Sequence, residues 1–163
     1  MLSKYVSEQE FTITQVRGIG NSLPEGVIRK NAIRLCNDFA DIIRDYYKKP
    51  LIISSGYRCP KVNKAVGGSD KSQHQYGNAI DFHIQGVPLT QIFNDISSGV
   101  IKAKDGKSLM YYIDQLIIEN LLNGTTPYSG SWIHIGISGN PRKQKMLATF
   151  LNGKPNYKFI DKI

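Results

Sequence analysis

The chain contains only three histidines, His74, His83 and His134, and two of them stand in settings that call for a partner. In Ser72-Gln73-His74-Gln75-Tyr76-Gly77-Asn78-Ala79-Ile80-Asp81, a histidine sits in a loop and an aspartate in the strand that follows. Gly77 can take backbone angles closed to other residues, which lets the chain turn and aim both side chains at one point. Asp81 lies among Ala79, Ile80 and Phe82, where a lone carboxylate is costly to bury, and a divalent cation is the strongest partner for it. In Trp132-Ile133-His134-Ile135-Gly136-Ile137, alternation puts the three isoleucines on one face and Trp132, His134 and Gly136 on the other. Each residue alone has an ordinary role, such as a hydrogen-bonded strand histidine or a turn-forming aspartate. Together, two neutral imidazoles and a carboxylate form a catalytic zinc set, with a fourth position for water whose pKa the ion lowers to about 7. The expected cofactor is one zinc ion per chain, held by His74, Asp81 and His134.

His83 competes for a place in that set, because it lies two residues after Asp81 and shares its strand face. His74 is preferred, since a loop ligand can adjust its angle and the other two ligands then come from separate strands. His83 is expected to lie outside the ligand shell or at the surface.

The elements that must position these residues can be read from periodicity. Ser22-Leu23-Pro24-Glu25 has the form of a capping box with a proline in the first turn. Ile28, Ala32, Leu35, Phe39, Ile42 and Tyr46 then recur every three or four residues, which predicts an amphipathic helix ending near Lys48-Lys49-Pro50. A short strand is expected over 51–54, a loop with a helical segment at 61–66 over 56–72, a strand over 79–84 and a helix over 88–97. A polar connection over 99–108 leads to the last two clear strands, 115–119 and 132–137, joined by a Gly/Asn/Thr/Pro-rich loop. No regular βαβ alternation, repeat or linker occurs. The fold class expected is α+β, a small and mainly antiparallel sheet with flanking helices, in a single domain over 1–163.

Composition narrows the function classes. With 40% apolar and 21% charged residues the chain is neither disordered nor membrane-spanning. Its formal net charge of +8 favours anionic partners, an anionic wall polymer among them. The basic residues are scattered without interleaved aromatic platforms, so specific nucleic-acid binding is not expected. Cys36 and Cys59 form no CxxC pair, which excludes a zinc knuckle; two reduced thiols are expected, and neither has a nucleophile-activating context.

Six blocks occur in a fixed order: Ser54-Ser55-Gly56-Tyr57-Arg58 with Asn63; Val66-Gly67-Gly68-Ser69; Ser72-Gln73-His74; Gly77-Asn78-Ala79-Ile80-Asp81; Asp114-Gln115-Leu116-Ile117-Ile118-Glu119; and Trp132-Ile133-His134-Ile135. They resemble the D-alanyl-D-alanine carboxypeptidase and phage L-alanyl-D-glutamate endopeptidase family of zinc peptidases, whose fold is shared with the hedgehog signalling domain. The likeness runs from about residue 10 to 137, with 138–163 as a C-terminal extension. It implies a zinc peptidase acting on the stem peptides of bacterial peptidoglycan. Arg58 would bind substrate and polarise the scissile carbonyl; Ser72 and Tyr57 would contact substrate or, with Asn63, hold the loop in shape.

The chain departs from many relatives at Ser131, where they carry an acidic residue three positions before the last histidine. A subset instead ends the preceding strand with an acid, as Glu119 does. Alternation supports Glu119 as the general base: with Leu116 and Ile118 in the core, Gln115, Ile117 and Glu119 face the same side as His134, and Asp114 the opposite one. The expected protein is a phage or prophage lysin, monomeric, made in the bacterial cytoplasm without a signal peptide and acting on the wall after release. A cellular wall-recycling carboxypeptidase and a non-catalytic, zinc-stabilised wall-binding or virion module are the alternatives.

Overall fold

The computed structural model describes residues 1–122, 126–151 and 154–163, with the side chains of 120–129 and 151–154 left aside. Its frame is a six-stranded sheet in the order β1-β2-β4-β3-β5-β6. The strands are β1 (Leu51–Ser55), β2 (Ala79–Ile84), β3 (Ile113–Leu122), β4 (Thr126–Ile137), β5 (Gln144–Leu151) and β6 (Lys154–Phe159). Every neighbouring pair is antiparallel except β3 with β5. The helices are α1 (Glu8–Phe11), α2 (Val27–Leu35), α3 (Asp41–Tyr47), α4 (Pro60–Ala65) and α5 (Leu89–Ser98). The fold is therefore the α+β class expected from sequence.

One face of the sheet makes the core. Ile80, Phe82 and Ile84 of β2, Leu116 and Ile118 of β3, and Ile133, Ile135 and Ile137 of β4 pack with Leu35, Phe39 and Ile43 of the long helix and with Ile92, Phe93 and Ile96 of α5. This alternation leaves Asp81, His134 and Glu119 on the other face. Residues 56–78 fold over that face, tied to it by the Gln73–Tyr76 turn, which packs on β2 and β4.

Three helix details differ from the sequence reading. The capping box expected at Ser22–Glu25 does not form: α2 starts at Val27 behind Gly26, and Glu25 pairs instead with Arg29 at 2.9 Å. The box that does form is Ser7 with Glu10, where Ser7 Oγ accepts the Glu10 amide and the Glu10 carboxylate accepts the Ser7 amide. Between α2 and α3, Cys36–Ala40 is a π-helical turn, closed by the Asp41 amide donating to the Cys36 carbonyl. A π turn holds one residue more than an α turn, so the buried stripe shifts from the expected Ile42 and Tyr46 to Ile43; Tyr46 is exposed.

The last two strands expected are present and longer than expected. Residues 123–125, in the middle of the loop foreseen between them, lie outside the described residues. Beyond them the sequence reading assigned no structure, yet β5 and β6 extend the sheet past β3. Residues 138–143 cross the start of β3 to reach β5. There a bulge between Ile113 and Gln115 breaks the alternation. It takes Asp114 out of the core-facing series and leaves it 2% exposed beneath the crossover, with Arg142 Nη2 at 2.5 Å, so the opposite-face placement expected from strict alternation does not hold. Both cysteines are free thiols.

Candidate metal centre

Asp81 and His134 are direct partners across the β2–β4 ladder, and Ile117 pairs with His134 from the other side. His74 enters from above the sheet. Its turn ends at Gly77, whose φ of 68° is the left-handed conformation that returns the chain into β2. His74 Nδ1 lies 2.6 Å from the Gly56 carbonyl. A carbonyl only accepts, so Nδ1 carries the proton and the Nε2 lone pair faces the site. Gly56 itself sits against Phe11 because it has no side chain: a Cβ there would stand 2.3 Å from the Phe11 carbonyl.

His74, Asp81 and His134 are all buried, and each offers a ligand atom within 4.8 Å of the others. Asp81 Oδ1 lies 2.7 Å from His134 Nδ1, and Asp81 Oδ2 lies 3.3 Å from His74 Nε2 and 3.7 Å from Arg58 Nη2. Burial alone would push the Asp81 carboxyl up, but the hydrogen bond from His134 Nδ1–H and the charge it brings outweigh burial and hold the group ionised well below the ordinary aspartate range. Burial holds His74 neutral by lowering its pKa. For His134, burial is overcome by the Asp81 carboxylate, and the pKa rises.

Arg58 Nε, His74 Nε2, Gln73 Oε1 and Trp132 Nε1 are buried without hydrogen-bond partners. Such atoms are rare in a folded protein and mark places where something else completes the bonding. A buried carboxylate, an unpartnered imidazole lone pair and a second imidazole fit a zinc ion in donor type and number.

Glu119 pairs with Trp132, two rungs along from Ile117 and His134, and lies on their face as alternation requires. It is 9% exposed. Burial, moderated by His134, raises its pKa to about 7. Asp114 stays apart: Arg142, Ser138 and Gln73 occupy its oxygens, and against the effect of burial Arg142, helped by Gln73, lowers its pKa.

The remaining expected residues separate. Arg58 reaches the site, its amide donating to the His74 carbonyl at 3.2 Å. Ser72 opens the turn that carries His74. Tyr57 is 4% exposed and its ring packs in the core. Asn63 secures the loop by donating to the Ser69 carbonyl. His83 is not in the ligand group. It lines a 670 Å³ groove beside the site with Ser54, Val87, Leu89 and Trp132. His83→Ala is expected to leave zinc content unchanged by elemental analysis, with any kinetic change confined to KM.

Tyr157 escaped the sequence reading. It pairs with Ala148, which pairs with Glu119, so the three form one row across β6, β5 and β3. Tyr157 keeps about half of its surface exposed, yet partial desolvation first, then the Glu119 and Asp81 charges, push its phenol up to about 12. An aromatic residue alternating with polar ones in a terminal strand was the available signal, but its partner strands were not recognised.

The Peptidase M15 family matches residues 7–113. This chain belongs to that family, the zinc peptidases of D-alanyl-D-alanine carboxypeptidase and hedgehog-like fold. The matched segment contains Arg58, His74 and Asp81; His134 and Glu119 lie beyond it and join the site through the sheet register. No curated protein sequence matches the chain. No helix among the described residues is long and apolar enough to cross a membrane.

Proposed function

We propose that the protein is a zinc metallopeptidase that hydrolyses peptide bonds in the stem peptides of bacterial peptidoglycan, as a phage or prophage lysin acting on the wall after release. The observation that carries this reading is the buried His74, Asp81 and His134 group with the Glu119 carboxyl on the same sheet face. A zinc ion held by these three residues supplies Lewis-acid activation of water and of the scissile carbonyl. Glu119 takes the proton of the attacking water and passes it to the leaving amine, a task suited to a pKa near 7. Arg58, with its guanidinium beside Asp81 and its Nε unpartnered, stabilises the oxyanion that develops on the carbonyl. The net charge of +8 draws the protein to an anionic wall.

Mass spectrometry of purified muropeptides incubated with protein and zinc tests the reading. Zinc-dependent cleavage of the stem peptide is expected, with loss of one terminal residue marking a carboxypeptidase and two peptide fragments an endopeptidase. Intact muropeptides after incubation with fully zinc-loaded protein would overturn it. Arg58→Lys is expected to lower kcat and kcat/KM equally, because its guanidinium meets charge present only in the transition state. A change in KM alone would reduce Arg58 to an anchor.

A further inference from the structure

Gln73 precedes a proposed zinc ligand in sequence, yet its side chain turns toward β4 and the start of β3. Its Nε2 donates to Asp114 Oδ2 at 3.0 Å and to the Ile137 carbonyl at 3.1 Å. Both partners are acceptors, so the orientation of the carboxamide is fixed and Oε1 must face the other way. There Oε1 is buried with no hydrogen-bond partner. A buried carbonyl oxygen without a donor is costly, and the fixed amide prevents it from turning away.

Gly136 provides the space. A Cβ on Gly136 would stand 1.9 Å from Gln73 Oε1 and 3.3 Å from His134 Nε2. The oxygen therefore fills the notch left by the absent side chain, and the His134 ring borders the same notch. Against Asp81, His134 uses Nδ1 at 2.7 Å. A neutral imidazole carries one N–H. When Nδ1 serves as a metal ligand its lone pair is committed, so the proton sits on Nε2 and needs an acceptor. Gln73 Oε1 is the acceptor already waiting beside it.

We propose that Gln73 is a positioning residue for His134: its Oε1 accepts the His134 Nε2–H in the zinc-loaded protein and fixes the tautomer whose Nδ1 faces the ion. Asp114 holds the amide. Arg142 holds Asp114 in turn through Nη2 at 2.5 Å, Nε at 3.0 Å and its backbone amide at 2.8 Å, with Ser138 Oγ at 3.2 Å. Arg142 and Ser138 belong to the crossover into β5. The C-terminal segment, outside the family match, thus braces the metal site from behind. This inference rests on the zinc reading above.

Zinc affinity measured by competition with a chromophoric chelator tests it without reference to activity. Gln73→Leu removes the acceptor, and Gly136→Ala fills the notch and expels it. Each is expected to weaken zinc binding roughly 10–100-fold, the range for losing the partner of a ligating histidine. The unmutated protein gives a second readout. Long-range proton–nitrogen spectra of the zinc-loaded form are expected to show His134 protonated on Nε2, with slow exchange that Gln73→Leu makes fast. Zinc affinities within about twofold of wild type in both variants, or a His134 proton on Nδ1 in the loaded protein, would overturn the role of Gln73. Wild-type protein that binds no zinc would instead overturn the metal site itself.

Discussion

Purified protein carrying His74→Ala or His134→Ala is expected to contain no bound zinc and to show no cleavage of muropeptides, whereas the unmutated chain is expected to bind one ion. Two remaining protein ligands rarely hold a catalytic zinc ion, and here the two left behind would be a carboxylate and one imidazole. The two variants differ in their structural side effects. His74→Ala also strands the Gly56 carbonyl that Nδ1 engages, so about 1–3 kcal/mol of stability is expected to go with it. His134→Ala takes the 2.7 Å contact from Asp81 but leaves His74 and Arg58 near that carboxylate. Elemental analysis together with thermal unfolding of the metal-free proteins separates lost ligand from lost fold. Full zinc occupancy in both variants would sink the site.

The proposed ligand trio was legible because each member is odd where it stands. A carboxylate inside an apolar strand, a histidine among alternating isoleucines and a histidine just before a glycine-turned strand each carry their anomaly in neighbouring residues. Alternation then supplied the face of Glu119, since Leu116, Ile118, Ile133 and Ile135 do pack in the core as their period requires. Alternation failed at Asp114 for a definable reason: a bulge adds a residue to one strand and reverses the faces beyond it, and nothing in Ile113-Asp114-Gln115 announces one. Gln73 was equally silent. A glutamine in a loop looks solvated, and its burial depends on Gly136, 63 positions away, lacking a side chain.

The same division between near and distant partners runs through the fold. The helix over 27–47 was found from its period, but the π turn at Cys36–Ala40 moved its buried stripe, and Ser22–Glu25 offered a capping motif that the chain uses elsewhere. The strands β5 and β6 went unread although Met146, Leu147, Ala148 and Phe150 form an apolar run. Parallel pairing of β5 with β3 depends on a crossover that has no local signature, and Pro155 in β6 discourages a strand reading except at an edge, which is where β6 lies.

Glu119→Gln is expected to keep the fold and the zinc and to lose about 10²–10⁴ in kcat, the range for a positioned acid or base. The amide has nearly the same shape but cannot take a proton from water. The wild-type enzyme is also expected to show an acid limb in kcat/KM that the Gln variant lacks. It should lie at or below about 7, because burial raises the carboxyl to that value and a cation held beside Asp81 favours the ionised form. Stability should move the opposite way. A carboxyl whose folded pKa is raised from 4.5 to about 7 binds its proton more tightly folded than unfolded. Its contribution is therefore fully present below pH 4.5 and is lost as pH rises through about 7. At pH 8 the metal-free protein buries a carboxylate that glutamine would replace with a neutral group. Metal-free Glu119→Gln is expected to be more stable than wild type there, by on the order of 3 kcal/mol, and about equal at pH 4. Denaturant unfolding at both pH values measures the difference. If the variant hydrolyses a verified muropeptide at the wild-type rate while gaining that stability, Glu119 is a buried acid with no part in proton transfer, and the base lies elsewhere.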